Sequence, residues 1–444
     1  MQKFLMKMMP GVVKFANFKV VKALKNGFIR TVPITLIGSI FLLIANFPIQ
    51  GFIDLMASWF GENWASPLNQ VVAGTFNILA IYVAFAIAYE YCKEEGIDGV
   101  PAGFFGIAGL FAMINASVLT EGGELVTSVV PNEWIGSKGL IAALICSLIS
   151  GMIYTWFIKR DIRIKLPETV PPAVATSFSA LIPGVVILAV FGLMHMIIGL
   201  STNLSVTEAI YMWLQTPLQN LTDTLPGIIL VAMLISLFWW CGIHGDAIIL
   251  GILTPVLQSN MLANQDVINA GGTLVAGQNA HIITDQFTLF LKAGGAGSTI
   301  GLIICMVLFA KSKQLKELGK LAFGPSIFNI NEPIIFGTPI IYNPVMLLPF
   351  MLTPVACVTI SYIAIATGLC PPFTGVTVPW TMPTIISGLI TGGWRTALLQ
   401  VVNVCISVAI YFPFLKMQDK LLLDQEAEAE AALESSSAAG EANA

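Results

Sequence analysis

Apolar runs of about 20 residues recur along the first half of the chain, and a run of that length is enough to cross a bilayer as a helix. The first covers about 28–47. Short polar stretches separate it from the later runs, which lie near 69–89, 100–120, 139–158, 178–200 and 226–243. The pattern predicts regular transmembrane helices as far as about residue 243.

The second half is apolar too, but proline, glycine and charged residues interrupt it. The predicted pieces are 244–262, 282–293, 295–310, 321–344, 345–368, 371–391 and 395–415. The stretch 321–344 holds four prolines and two glycines, so it is not expected to form one continuous helix. Broken backbone at membrane depth is tolerated where it is buried in protein or lines a watery cavity.

Composition sets the class of protein. The 444 residues are 56% hydrophobic and only 10% charged, and the mean hydropathy is +0.84. A soluble protein could not bury that much apolar surface, so we expect an all-α polytopic membrane protein with about ten crossings. The seven cysteines show no CxxC spacing, and neither a metal motif nor a P-loop is present. No metal, cofactor or nucleic acid is therefore expected as a partner.

Lysine and arginine orient the predicted helices. Seven lie in the arm up to Arg30, and four lie in each of the loops 159–168 and 311–320, whereas the loops 48–68 and 201–225 hold none. Under the positive-inside rule, both termini are expected in the cytoplasm.

A single carboxylate, Glu332, stands out in the broken stretch 321–344, between Asn331 and Pro333. An ionisable group inside a membrane segment is a functional candidate by default. The alternative is that Glu332 only caps a helix end in a surface loop. We favour a cavity because apolar residues surround the glutamate.

A second candidate is the stretch FWWCGIHGD at 238–246, with Trp239, His244 and Gly245. A sugar presents C–H faces that pack on aromatic rings and hydroxyl groups that need donors and acceptors. This mixture of side chains fits a sugar, although the tryptophans could instead form an interfacial belt. Trp380, in the broken piece PPFTGVTVPWTMP, is equally compatible with packing or binding.

His281 and Asp285 stand four residues apart and could pair on one face of a helix. A structural role is the preferred interpretation of this pair.

Five stretches carry a family resemblance: GIHG at 242–245, INEPIIFGTPIIYNPVM at 330–346, VPWTMP at 378–383, KNGFIRTVPITLIGS at 25–39 and SFSALIPG at 177–184. With these motifs in this order, the chain resembles enzyme IIC, the membrane component of the lactose/cellobiose/diacetylchitobiose branch of the bacterial phosphotransferase system. The resemblance runs from about residue 5 to 420.

The resemblance implies a homodimeric permease of the bacterial plasma membrane, with ten spanning helices and two re-entrant hairpins per subunit. The basic residues of 1–28 predict a cytoplasmic or interfacial N-terminal arm, and the acidic, small residues of 421–444 predict a short helix that frays into a disordered tail. Between them, the resemblance implies a helical dimerisation domain (29–203) and a sugar-binding transport domain (204–420).

The implied substrate is a β-linked disaccharide of the cellobiose or diacetylchitobiose type. The implied partner is phosphorylated enzyme IIB, itself charged by IIA, which phosphorylates the sugar from a phosphocysteine. Because the chain ends in an acidic tail, IIB is expected to be a separate protein.

By the same resemblance, His244 and Glu332 would lie near the accepting hydroxyl, and Trp239, Gly245, Asn331 and Trp380 would contact the sugar. A histidine or a desolvated carboxylate can accept the hydroxyl proton, and spacing does not decide between them.

Two other classes of function remain open. An ion-coupled secondary transporter would use Glu332 and Asp246 as proton or sodium sites. A membrane-embedded enzyme or receptor would use His244 and Glu332 as an acid–base pair.

Overall fold

The computed structural model describes residues 18–45, 50–119, 124–167, 169–242, 244–337 and 340–441. Residues 1–17 of the predicted arm and 442–444 of the predicted tail lie outside this part. Within the described part of the chain, the first nine α-helices are α1 Lys19–Ala45, α2 Gln50–Phe60, α3 Ser66–Ala73, α4 Leu79–Glu94, α5 Val100–Ala112, α6 Asn132–Ile135, α7 Leu140–Lys159, α8 Pro172–Ser179 and α9 Leu181–Thr202.

The following helices are α10 Val206–Ile210, α11 Thr216–Thr222, α12 Leu225–Trp240, α13 Gly245–Asn269, α14 Ile300–Phe309, α15 Lys313–Ile327, α16 Glu332–Gly337, α17 Pro344–Ala366 and α18 Ile386–Glu441. A π-helical turn, Tyr211–Gln215, joins α10 to α11, and two 3₁₀ segments, Gln286–Leu291 and Ala296–Ser298, precede α14. The structure also contains a small antiparallel hairpin that the sequence did not predict, made of β1 Ser117–Leu119 and β2 Leu125–Thr127.

The described residues contain six helices long and apolar enough to span a membrane, and up to eight spans if each of two bent helix pairs counts as one. The bent pairs are Val206–Thr222 with Leu225–Trp240, at 78°, and Gln286–Ser298 with Ile300–Phe309, at 43°. The predicted membrane class agrees with these helices. The expected ten crossings are not established by helix length and composition.

Several predicted boundaries were wrong. The piece 244–262 is not interrupted, because α13 runs on to Asn269 with Pro255 inside it. Helix α4 begins at Leu79, ten residues later than expected, and the loop 48–68 contains α2. Helix α18 begins at Ile386, breaks at Gly393 and extends to Glu441, so the short helix predicted at the start of the tail is longer than expected.

The predicted breaks in the second half are present. The stretch 321–344 divides into α15, α16 and the start of α17, and 371–385 has no helix. The chain around Trp380 is therefore irregular, as the sequence indicated.

Buried apolar residues form two clusters. One joins α1, α4, α5, α7 and α9, with Leu79, Ile87, Leu110 and Phe191 among its fully buried members. The other joins α12, the 3₁₀ segment Gln286–Leu291, α14, α17 and α18. Helix α13 contributes to both, because Leu262 belongs to the first and Leu257 to the second. This helix therefore connects the two halves of the fold.

Candidate functional site

A cavity of about 500 Å³ lies where α1 and α13 face the broken segments of the second half. Its lining combines apolar side chains of α1 and α13 with polar side chains from 285–292, 329–332 and 377–380. The cavity brings together five of the six residues that the sequence singled out: Trp239, His244, Asn331, Glu332 and Trp380. Such a mixture of apolar walls and a few polar groups is typical of small-molecule sites.

Trp239 forms the wall at the end of α12 and is only 5% exposed. Its ring lies against that of His244, with centroids 4.2 Å apart. The indole Nε1 donates a hydrogen bond of 2.7 Å to Oδ2 of Asp246. Because its N–H is already used, Trp239 offers a ligand its ring and not a donor.

His244 is the N-cap residue of α13, and this capping fixes the orientation of its side chain. The imidazole Nδ1 accepts a hydrogen bond of 3.2 Å from the backbone N–H of Ala247, so the side chain caps the helix. An N–H group can only donate, which means that a neutral His244 carries its proton on Nε2. The edge that remains is a hydrogen-bond donor.

Gly245 does not line the cavity. A Cβ at this position would lie 2.3 Å from the carbonyl oxygen of Ile235, so only glycine allows α13 to begin this close to α12. The structure gives Gly245 a packing role that places His244 and Trp239 side by side.

Glu332 is the first residue of α16, and it is exposed to the cavity. Asn331, immediately before it, is 2% exposed and donates 2.7 Å hydrogen bonds to the carbonyl oxygen of Ala296 and to Oγ1 of Thr299. Both amide hydrogens of Asn331 are therefore engaged in fixing the turn that presents Glu332. Gly295, at φ +103°, leaves room for the Asn331 side chain, which a Cβ would approach to 2.3 Å.

Asn329 was missed by the sequence analysis, although it lines the cavity. Its amide nitrogen donates to the carbonyl oxygens of Trp380 and Met382, at 2.7 and 2.9 Å. Its amide oxygen accepts from the backbone N–H of Gly294 at 2.9 Å. These bonds join three broken segments and hold Trp380, which is 54% exposed, at the cavity. No sequence signal marked this residue, because its partners are distant along the chain.

The cavity also holds the charged residues Lys25, Asp246, Asp285 and Lys292. The second oxygen of Asp246, Oδ1, is buried and has no hydrogen-bond partner among the described residues. The cavity thus offers donors, acceptors and ring faces, the groups that a polyhydroxylated ligand requires.

The predicted pairing of His281 with Asp285 was wrong. Residues 281–285 are not helical, and Nδ1 of His281 lies 2.9 Å from Oδ2 of Asp223 instead. The other oxygen of Asp223 accepts from the backbone N–H groups of Ile282 and Ile283. This cluster fastens the 281–283 segment to the end of α11, and the structural role expected for His281 fits it.

Comparison with known proteins places these features in a family. The family model for the phosphotransferase system EIIC component matches residues 25–354. The lichenan permease IIC component of Bacillus subtilis is 39% identical over 95% of this chain and 94% of its own length. The cellobiose-specific EIIC component of Geobacillus stearothermophilus is 39% identical over 93% of each chain.

A solved structure shares the fold. The transporter ChbC, the IIC component of the N,N'-diacetylchitobiose-specific phosphotransferase system, is 38% identical and superposes with a TM-score of 0.90, covering 95% of this chain and 99% of that one. The family model and the relatives cover most of the chain, and they agree with the motifs read from the sequence. The chain belongs to the phosphotransferase system EIIC family.

Proposed function

We propose that this protein is the membrane permease of a phosphoenolpyruvate-dependent phosphotransferase system, importing a β-linked disaccharide of the cellobiose or diacetylchitobiose type. A separate, phosphorylated IIB protein would phosphorylate the sugar. The observation that carries the proposal is the single cavity in which two tryptophans, a capping histidine and a cavity-facing glutamate meet. The names of the relatives, cellobiose-specific and diacetylchitobiose-specific, support this substrate class.

The state of His244 supports a division of roles between the two candidate catalytic groups. With Nδ1 occupied by the Ala247 N–H, the neutral imidazole has only an Nε2–H donor to offer. With Nδ1 accepting from the backbone and Nε2 carrying a hydrogen, neither ring nitrogen has a free lone pair to take the sugar proton. We therefore assign proton acceptance to Glu332 and orientation of the sugar oxygen to His244.

The proposed step is a direct transfer. The sugar hydroxyl oxygen attacks the phosphorus of the IIB phosphocysteine while Glu332 takes the hydroxyl proton. The new O–P bond forms as the S–P bond breaks, and the bonding electron pair leaves with sulfur as a thiolate. The sugar phosphate is anionic, and once Glu332 has given up the proton it accepted, repulsion between the two negative charges favours release.

Under the same proposal, the two buried apolar clusters belong to two domains with different roles. The apolar cluster of α1, α4, α5, α7 and α9 would belong to the dimerisation domain at 29–203, and the cluster of α12, α14, α17 and α18 to the transport domain at 204–420. Ten crossings, two re-entrant hairpins, a homodimer and cytoplasmic termini complete the proposed architecture. The arm at 1–28 and the tail at 421–444 would lie on the cytoplasmic side of the membrane, where IIB, charged by IIA, acts.

A separate IIB agrees with the names of the relatives that this chain covers almost fully, which are IIC components alone. This chain covers 94% of the Bacillus subtilis lichenan permease IIC component but 74% of the Lacticaseibacillus casei lactose-specific EIICB component.

Transport by purified protein in vesicles tests the proposal. Labelled cellobiose is supplied outside, with or without phosphoenolpyruvate and the soluble phosphotransferase proteins, and the internal sugar is identified. Phosphorylated sugar that appears only with the donor proteins is the expected result. Accumulation of free sugar driven by an ion gradient alone would overturn the proposal in favour of an ion-coupled transporter.

A further inference from the structure

Basic residues on one face of α1 are paired with carboxylates at the end of α4. The pairs are Lys19 with Glu95, Lys22 with Glu94 and Arg30 with Glu90. Asn26, on the same face, donates a hydrogen bond of 3.4 Å to Oε1 of Glu94. These side chains hold α1 against α4, so their charges are balanced within the first half of the fold.

Lys25 lies on a different face of α1, toward the cavity. It lines the cavity with Phe28, Ile29 and Val32, which follow it at helical intervals. The lysine stem packs on α13, because its Cβ and Cγ would lie 3.4 and 3.8 Å from a Cβ placed on Gly251. No carboxylate of the described residues lies within ion-pair distance of the Lys25 ammonium, so this charge enters the cavity without an ion-pair partner there.

The charge of Lys25 acts on a group already assigned to the reaction. Lys25 and Glu332 are both close enough to His244 for their charges to influence its imidazole. The second lysine of the cavity, Lys292, is instead close to Asp285. Of these two lysines, Lys25 is the one whose charge reaches the proposed site of transfer.

A phosphoryl group that enters this cavity meets negative charge. It carries its own charge on three oxygens, and the lining already holds the carboxylates of Asp246, Asp285 and Glu332. Repulsion between like charges opposes the approach, and it is strong where water is excluded. Sites that transfer phosphoryl groups offset such charge with lysine, arginine or a metal ion.

We propose that Lys25 binds the phosphoryl group during transfer and stabilises its negative charge. The inference rests on the proposed function, in which the IIB phosphocysteine meets the sugar hydroxyl beside His244 and Glu332. While the S–P bond breaks and the new O–P bond forms, the Lys25 ammonium donates hydrogen bonds to the phosphoryl oxygens that take no part in either bond. Lys25 keeps its own protons, because Glu332 accepts the hydroxyl proton and the sulfur leaves as a thiolate. Lys25 therefore contributes to the rate of transfer and little to the binding of the uncharged sugar.

The test separates the rate of transfer from the binding of sugar. Formation of sugar phosphate from cellobiose is measured for wild type and for Lys25→Met, which keeps the length of the side chain and removes its charge, over a range of phosphorylated IIB concentrations. Cellobiose affinity is measured on the same samples. We expect the maximal rate to fall about 10²-fold, with affinity changed by less than about twofold. Lys25→Arg, which keeps the charge, should retain more of the rate than Lys25→Met.

Lys22→Met is the matched control. It removes the same charge from the same helix, at a lysine that is paired with Glu94, and it should leave the rate and the affinity unchanged. An equal loss of rate in Lys22→Met would assign the effect to the charge of the membrane surface and would overturn the inference.

The remaining outcomes separate the inference from the proposed function. If Lys25→Met reaches the wild-type maximal rate at high concentrations of phosphorylated IIB, or loses cellobiose affinity as much as rate, the role of Lys25 in transfer is overturned while the proposed function stands. If the wild type forms no sugar phosphate from cellobiose or diacetylchitobiose with the donor proteins present, the proposed function itself fails.

Discussion

Asn329 holds the backbone of Trp380 at the cavity, through a hydrogen bond of 2.7 Å from the Asn329 side-chain nitrogen to the Trp380 carbonyl oxygen. Asn329 itself has a left-handed backbone, with φ at +62°, a conformation that asparagine tolerates better than most residues. The position of Trp380, whose side chain is 54% exposed, thus depends on a residue 51 positions earlier in the chain.

Replacing Asn329 should therefore weaken sugar binding through Trp380. Asn329→Gly keeps the backbone conformation accessible and removes the hydrogen bonds, so we expect cellobiose affinity to fall about tenfold. Asn203→Gly is the matched control, because Asn203 has φ of +60° at the exposed end of α9. The control should leave cellobiose affinity unchanged. Unchanged binding in Asn329→Gly would show that Trp380 does not need this anchor.

Two substitutions at His244 should separate its capping role from its role toward the sugar. Asparagine is a good N-cap residue, so His244→Asn should keep the start of α13 while losing the Nε2–H donor. We expect a fall of about 10²-fold in sugar phosphorylation with little change in thermal stability. His244→Ala should lose the cap as well, at about 1 kcal/mol of folding stability. Equal activity of His244→Asn and wild type would remove the imidazole from the reaction.

Asp246 allows the ion-coupled alternative to be tested at one residue. In Asp246→Asn the amide oxygen can still accept the Trp239 N–H, so the tryptophan should stay in place and phosphorylation should change by only a few-fold. Asp246→Leu removes the acceptor of the Trp239 N–H, so the Trp239 ring is no longer held in place and sugar affinity should fall. Loss of all transport in Asp246→Asn would point to a required negative charge, as an ion site demands.

Sequence patterns located most of the residues that line the cavity, because broken segments and intramembrane carboxylates can be recognised from the sequence alone. They led to Glu332, His244 and Trp380, which the structure brings to one cavity. Asn329 was not identified from the sequence, since its importance depends on the distant backbone groups to which it hydrogen-bonds. The His281–Asp285 pairing was wrong for the same reason: the true partner, Asp223, lies 58 residues away.

Helix boundaries were less predictable where proline lies inside a helix. Pro255 was read as an interruption, yet α13 continues through it. A proline leaves one backbone carbonyl of the helix without its usual hydrogen bond. Within a helix bundle, groups on neighbouring segments can supply that bond, and the local sequence does not show which groups lie nearby.

Glu95 joins three helices outside the cavity, and its contribution should depend on pH. Hydrogen bonds from Lys159 and Lys19, at the ends of α7 and α1, lower the pKa of the Glu95 carboxyl below its usual value. A carboxyl whose pKa is lower in the folded state stabilises the fold above its unfolded pKa of about 4.3, and loses that contribution as pH falls through the folded value. Glu95→Gln should therefore lower Tm at pH 7, and the difference from wild type should shrink in acid.

The matched control for Glu95 is Glu317→Gln. Glu317 pairs with Lys320 within α15, and both side chains are exposed, so this pair should add little to stability. If the Tm difference between wild type and Glu95→Gln persists unchanged in acid, the effect of the substitution comes from packing and not from charge.

The assignment of Glu332 as proton acceptor is tested most directly by Glu332→Gln. The rate of sugar-phosphate formation is measured with saturating phosphorylated IIB, and cellobiose binding is measured on the same samples, with His244→Asn in parallel. We predict a fall of about 10²–10⁴-fold in rate, larger than for His244→Asn, with affinity changed by only a few-fold. A Glu332→Gln variant that phosphorylates sugar at the wild-type rate would contradict the account.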